Sequence, residues 1–293
     1  MQKILLIGAN GQLGKQLQPL LRPLGELTAV GRQELDLTNP DAITNLVATV
    51  KPQVIVNAAA YTMVDKAESD QETAIAVNGK APGVLAESAK ACGATFLHVS
   101  TDYVFDGSQS TPYLETDTTN PLGVYGSSKL MGEQAIAQVG GDYINIRTSW
   151  VYGAYGQVNF VKTMLRLAAD RPEIRVVYDQ VGSPTWTGDL ARAIASIIPK
   201  INQDILGTYH YTNSGVTSWY DFAIAIFEES KKLGFPLKIE RVIPITSAEY
   251  PTPTKRPSYS VLNCGKINQV LGTHQPQWRV GLRQMLQELK AIS

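Results

Sequence analysis

Four uninterrupted apolar residues, Ile4-Leu5-Leu6-Ile7, run straight into Gly8-Ala9-Asn10-Gly11-Gln12-Leu13-Gly14, and this junction narrows the possible folds more than any other segment. A short, continuous apolar run bounded by glycine reads as a strand buried on both faces, the environment of a covered parallel sheet. A helical pattern follows from about Gln12 to Leu21, so the glycines occupy a strand-to-helix turn. Their GxxGxxG spacing permits a tight turn and close backbone approach. The helix start then offers unpaired N–H groups and a positive dipole end to a pyrophosphate. Gly8, Asn10, Gly11, Gln12, Leu13 and Gly14 are therefore candidate dinucleotide-binding residues; the bland alternative is a tight turn with no ligand.

The same rhythm continues through the first half. Strands are expected at Leu27–Val30, Gln53–Asn57, Thr95–Ser100 and Tyr143–Arg147. Helices are expected from Pro40 to Val50 with Asn39 as N-cap, from Gln71 to Cys92 with a kink at Pro82-Gly83, and from Tyr125 to Val139. Alternation of this kind predicts a doubly wound α/β fold with a parallel sheet. After about Trp150 the rhythm loosens, with helices expected at Asn159–Ala169, Gly188–Ile198, Ser218–Glu229 and Arg279–Leu289. The division that follows is a dinucleotide-binding domain over 1–150 and mainly a substrate-binding lobe over 151–293, some later strands returning to the first sheet.

Composition removes whole classes of function. The 26 basic and 26 acidic residues of the 293 cancel, which argues against non-specific nucleic-acid binding and against a basic membrane-binding surface. No apolar run approaches the ~18 residues of a membrane span, and the one after Lys3 is too short for a signal peptide. Cys92 and Cys264 lie far apart, as do His98, His210 and His274, so neither a disulfide framework nor a zinc site is written here. A cytoplasmic protein with reduced thiols is expected.

The end of the second strand bears on which dinucleotide fits. Val30-Gly31-Arg32 lacks the carboxylate that would hold a ribose 2′-OH, and the Arg32 guanidinium suits a 2′-phosphate, favouring NADPH while leaving NADH open. Asp36 and Leu37, a little further on, are weaker candidates near the adenine. Ala58, Ala59 and Ala60 close the third strand with side chains small enough for a cofactor to lie against the backbone.

Tyr125-Gly126-Ser127-Ser128-Lys129 puts a phenol and an amine four apart on one helix face. A neighbouring ammonium is expected to lower the phenol's pKa toward the range useful for acid–base chemistry. The fourth strand ends in Ser100-Thr101-Asp102-Tyr103, at the carboxyl edge where open α/β sheets bind ligands. There a Thr101 hydroxyl can assist Tyr125 at a carbonyl oxygen. A glycine turn, a strand-end hydroxyl and a Tyr/Lys pair in this order point to hydroxyl/carbonyl redox chemistry.

These residues resemble the extended short-chain dehydrogenase/reductase family over essentially the whole chain. The strings that carry the resemblance are GANGQLG, NAAAYTMVDKAE from Asn57, STDYVFDG from Ser100, YGSSK, RTSWVYG from Arg147 and DQVGSPTWTGDLA from Asp179. Sugar-nucleotide dehydratases of that family carry an Asp-Glu pair after the threonine; here Asp102 is followed by Tyr103, which counts against elimination. The resemblance is strongest to the reductases of dTDP-4-keto-6-deoxyhexoses, which make dTDP-L-rhamnose. It implies Thr101, Tyr125 and Lys129 as catalytic residues, with Tyr125 and Lys129 also touching the cofactor. Val64, Thr101, Asp102, Tyr103, Tyr125 and Trp150 would line the sugar site, and Arg256 is left without a role. Some enterobacterial members dimerise through a magnesium ion held by glutamates partly near the C-terminus. The C-terminal helix here has only Glu288, which puts a magnesium bridge in doubt and leaves a homodimer open. Two other readings stay open: an NAD-dependent sugar-nucleotide epimerase, and a non-catalytic regulatory partner of methionine adenosyltransferase.

Overall fold

In the computed structural model, which describes residues 2–292, the expected alternation is present through the first half. It runs β1 (Gln2–Ile7), α1 (Gln12–Leu21), β2 (Gly25–Val30), α2 (Pro40–Val50), β3 (Val54–Asn57), α3 (Val64–Ala67), α4 (Gln71–Ile75), α5 (Ala81–Cys92), β4 (Thr95–Thr101), α6 (Val124–Val139) and β5 (Tyr143–Thr148). The second half contributes β6 (Val151–Tyr152), α7 (Phe160–Asp170), β7 (Glu173–Val177), β8 (Val181–Gly182), β9 (Thr185–Trp186) and α8 (Thr187–Ile197). It continues with β10 (Gly207–His210), β11 (Thr217–Ser218), α9 (Trp219–Lys232), β12 (Arg241–Ile245), α10 (Gly265–Leu271) and α11 (Trp278–Ile292).

The main sheet has six parallel strands in the order β2-β1-β3-β4-β5-β10. From β1 the chain winds outward to β2, then returns to place β3 on the other side of β1. The strand ends of β1 and β3 therefore flank a topological switch point, the crevice where such sheets take ligands. Both faces are covered, as the continuous apolar strands require. Ile4 and Leu6 face a core that includes Leu17 of α1, Leu190 and Ile194 of α8, and Ile267 of α10. Leu5 and Ile7 face the opposite core with Ile43 of α2, Leu85 of α5 and Ile136 of α6. A separate cluster around Phe222, Trp186, Trp278 and Leu286 packs α7, α9 and α11 together in the second half.

Two of the differences from the sequence reading bear on the site. The helix expected over 71–92 is interrupted by a π-helical turn, Ala76–Lys80, before Pro82 rather than kinked at it. Pro82 has no N–H to return to the turn before it, and the slack is taken up upstream. The widened turn points the Asn78 side chain at the loop after β3, where it accepts from Tyr61 N–H at 2.9 Å and donates to the Tyr61 carbonyl at 3.0 Å. The second difference is in β4, which extends one residue further than expected and ends on Thr101 itself.

Candidate active site

The glycine turn is shaped by close approach. Gly8 has φ +86°, and a Cβ there would sit 2.7 Å from the backbone nitrogen of Ala59. A Cβ on Gly14 would meet the Gly8 carbonyl oxygen at 2.1 Å. Gly11 caps α1 without any side-chain hydrogen bond, and the first turn carries no acidic residue. The first N–H groups of α1 are thus free to meet an anion, and the cradle suits a dinucleotide pyrophosphate.

Around this turn the candidate residues take different parts. Gln12 donates to the Val151 carbonyl at 3.4 Å and accepts from Asn159, the N-cap of α7, at 3.3 Å, joining the turn to the second half. Leu13 is a core side chain, and so is Leu37, so both offer a ligand only their backbone. Asn10 lies against Gly31, and Arg32 is exposed just beyond the end of β2. Asp36 accepts at Oδ1 from the N–H and hydroxyl of Thr38, at 2.9 and 2.8 Å; these bonds and nearby Arg32 hold its pKa below the ordinary value. That turn occupies one carboxylate oxygen of the residue expected near the adenine. Ala58, Ala59 and Ala60 form a half-buried loop facing Gly8.

Thr101, Tyr125 and Lys129 come together at the carboxyl end of β4. Tyr125 sits in the first turn of α6, and the nearby Thr101 hydroxyl favours its ionised form. Thr101 also donates to Asp102 Oδ1 at 3.1 Å and accepts from the Tyr103 N–H at 3.2 Å. One turn along α6, buried Lys129 donates to the Val99 carbonyl at 2.7 Å and lies 3.0 Å from His98 Nε2. Two glycines let α6 approach its neighbours this closely: a Cβ on Gly126 would strike the Tyr103 carbonyl in the turn after β4, and one on Gly132 the Asn78 carbonyl in the π-helical turn.

Electrostatically, burial dominates. It pushes the Tyr125 phenol well above its ordinary pKa, with Asp102 and Tyr103 adding to the rise and Thr101 opposing it. This corrects the expectation that Lys129 would lower the phenol: in the protein alone Tyr125 is held firmly protonated. Burial also pushes the Asp102 carboxyl up to about 6, with the nearby Ser260 and Thr101 hydroxyls opposing the rise. Tyr103 rises to about 12 through burial, with Arg256 opposing. Lys129 falls to about 8, again through burial, with Glu133 acting the other way.

The remaining sugar-site candidates each have separate partners. Tyr103 meets Tyr125 edge to face, ring centroids 5.4 Å apart. Val64 starts α3, and its carbonyl accepts from the Thr254 hydroxyl at 3.0 Å. Trp150 follows β5 in the left-handed region, φ +48°, and lies flat on Trp219 with centroids 3.5 Å apart.

A family model described as RmlD substrate binding domain matches residues 1–291. The chain belongs to the RmlD family. Among RmlD relatives, the dTDP-4-dehydrorhamnose reductase of Burkholderia thailandensis is 46% identical over 290 residues, spanning 96% of this chain and 97% of its own. The Escherichia coli K12 protein of the same name is 44% identical over 292 residues, with 98% and 97% covered. A crystal structure of dTDP-4-dehydrorhamnose reductase from Bacillus anthracis in complex with NADP superposes with TM-score 0.90 at 37% identity, covering 98% of this chain and 99% of that one. The Thermus thermophilus UDP-glucose 4-epimerase in complex with NAD shares the fold, TM-score 0.82, at 18% identity.

Several residues near these candidates were given no role by the sequence. Arg256 pairs with Asp65 at 2.8 Å and faces Tyr103. Thr254 and Glu68 tie the same C-terminal segment to α3 and to the first turn of α6, whose Val124 N–H donates to Glu68 at 3.0 Å. Trp219 backs Trp150, and Asn57 and His98 line the floor beneath Lys129. None of these pairings follows from spacing along the chain. At the C-terminal helix, Gln16 donates to both Glu288 oxygens at 2.7 Å. Among the described residues no group of three or more His, Cys, Asp or Glu could hold a metal, and no helix is long and apolar enough to cross a membrane.

Proposed function

We infer that the chain reduces the C4 keto group of dTDP-4-dehydro-L-rhamnose to dTDP-L-rhamnose with NADPH, NADH being a second donor. The observation that carries the reading is the convergence of Thr101, Tyr125 and Lys129 at the β4 edge beside the glycine cradle, in a chain whose full-length relatives bear that enzyme's name. When bound, the reduced nicotinamide supplies the hydride that C4 takes up. Tyr125 is then the proton donor to the C4 oxygen: burial keeps the phenol protonated in the free protein, and the strongly basic alkoxide that forms as the hydride arrives takes that proton. Thr101 turns its hydroxyl from Asp102 toward the same oxygen, stabilising charge as it develops. Lys129 holds the ribose. Val64, Tyr103 and Trp150 enclose the sugar, with Asp102 beneath it.

Incubating the protein with the epimerised dTDP-4-keto sugar and NADPH should consume cofactor and form dTDP-L-rhamnose in equal amounts. Turnover without net cofactor oxidation would instead mark an epimerase, and no turnover a binding subunit. Arg32→Ala should raise KM for NADPH by about 10- to 100-fold, as expected for losing a charge-assisted contact of about 1.5–3 kcal/mol. KM for NADH should barely change; equal losses for both donors would remove Arg32 from the 2′-phosphate site.

A further inference from the structure

Three buried polar side chains lie in line from the end of β3 to the middle of α6: Asn57, His98 and Lys129, none more than 1% exposed. The direction of their hydrogen bonds can be read from the far end. A backbone N–H can only donate, and that of Ala59 donates to Asn57 Oδ1 at 3.1 Å. The amide is thereby oriented, and its Nδ2, also a donor, faces His98 Nδ1 at 3.1 Å. Nδ1 must accept, so the one proton of a neutral imidazole sits on Nε2. Burial keeps that ring neutral, its pKa well below the ordinary value. The Nε2–H then points at Lys129 Nζ, 3.0 Å away. An ammonium has no lone pair with which to accept it. An uncharged amine does, and still donates to the Val99 carbonyl at 2.7 Å.

We propose that Asn57 and His98 are positioning residues whose hydrogen-bond polarity holds Lys129 toward the uncharged amine in the cofactor-free enzyme. The importance of this for turnover rests on the role given to Lys129 above. Other charged and titratable groups nearby do not reverse the preference. Glu133, one turn further along α6, favours the ammonium, but its carboxylate is matched by Arg147 of β5 at 2.7 Å. Tyr125 and Tyr103 on the substrate side are held protonated, and Asp102 titrates at about 6. Burial, offset in part by Glu133, brings Lys129 to about 8, and the ring N–H acts in the direction of burial. The charge on Lys129 is then set by a line of residues beginning at the backbone of the alanine loop.

NMR on the free enzyme reads both ends of the line without turnover. Nitrogen–proton couplings should show His98 as the Nε2–H tautomer, and the Lys129 Cε resonance should titrate at or below about 8, against about 10.4 for free lysine. Asn57→Asp is nearly isosteric but only accepts. It takes the Ala59 N–H and a proton-bearing Nδ1, which frees Nε2 to accept from the ammonium. The variant should flip His98 to the Nδ1–H tautomer and raise the Lys129 midpoint by about one unit or more. An Nδ1–H ring in the unaltered protein overturns the proposal, even if the variant does not fold. So does a variant whose midpoint stays put, or rises with no change of tautomer. A protein showing the relay but no sugar reduction would overturn the functional reading and leave this inference standing.

Discussion

Tyr125→Phe is expected to lower kcat by ~10²-fold or more while leaving the dissociation constant of NADPH nearly unchanged, the loss typical of removing a positioned general acid. The substitution deletes one oxygen at the end of a ring that keeps its edge-to-face contact with Tyr103, so the pocket should hold its shape. Thr101→Val should also slow turnover strongly, by up to ~10²-fold, because it removes a donor to the developing oxyanion and not the proton source. Single-turnover rates with saturating NADPH, beside fluorescence titration of the cofactor, separate chemistry from binding. Full turnover in Tyr125→Phe would move the proton donor elsewhere. Asp102 would be the first group to test, since its carboxyl, pushed up to about 6 and hydrogen-bonded to Thr101, is the nearest alternative acid.

The largest loss of stability is expected from Glu133→Ala. Glu133 and Arg147 are buried together, with side-chain exposures of 7% and 8%, and the carboxylate receives three contacts from the guanidinium at 2.7 to 3.1 Å. Arg147 also lies over the Phe105 ring and beside His210, whose pKa burial pulls down to about 3. Deleting the carboxylate strands a guanidinium where neither water nor a protonated histidine can help, a loss of about 3–5 kcal/mol. Against a total of about 5–15 kcal/mol for a typical domain, this is a large fraction. Urea unfolding should show the midpoint falling with little change in slope. Replacing both residues with Met should recover most of the loss, because the desolvation cost of the pair disappears with its attraction. A single variant as stable as the unaltered chain would mean that Arg147 finds another partner.

How much of this could be read from residues alone depended on how local each cause was. Buried parallel strands announce themselves as unbroken apolar runs, and ILLI, QVIVN and TFLHVS became β1, β3 and β4 within a residue or so of the expected ends. The helix start marked by Asn39 was legible because the cap bonds three residues ahead, and the helix expected from Asn159 begins one residue later with Asn159 as its cap. The two-residue strands β6, β8, β9 and β11 were not, since each exists only through a partner far along the chain. The same holds within the site. Thr101, Tyr125 and Lys129 stood out because each carries its chemistry at a strand end or helical spacing. Arg256 meets Asp65 across 191 positions, Trp150 needs Trp219 behind it, and His98 looked like a scattered histidine until the fold set it against Lys129. The charge environment of Tyr125 was misjudged for a related reason. Spacing places an amine nearby, but only packing shows that burial outweighs it.

The fastening of Thr254 and Arg256 onto α3, with Glu68 bridging to the start of α6, has a consequence for how the molecule comes into being. A ribosome that has released only the first half has already delivered the glycine cradle and both members of the Tyr/Lys pair. The rim beside Tyr103 stays unfinished until residues near 256 emerge. The sheet that carries the cradle is also uncovered until then, since Leu190 and Ile194 of α8 and Ile267 of α10 close one of its faces, so competence for the reaction arrives late in synthesis.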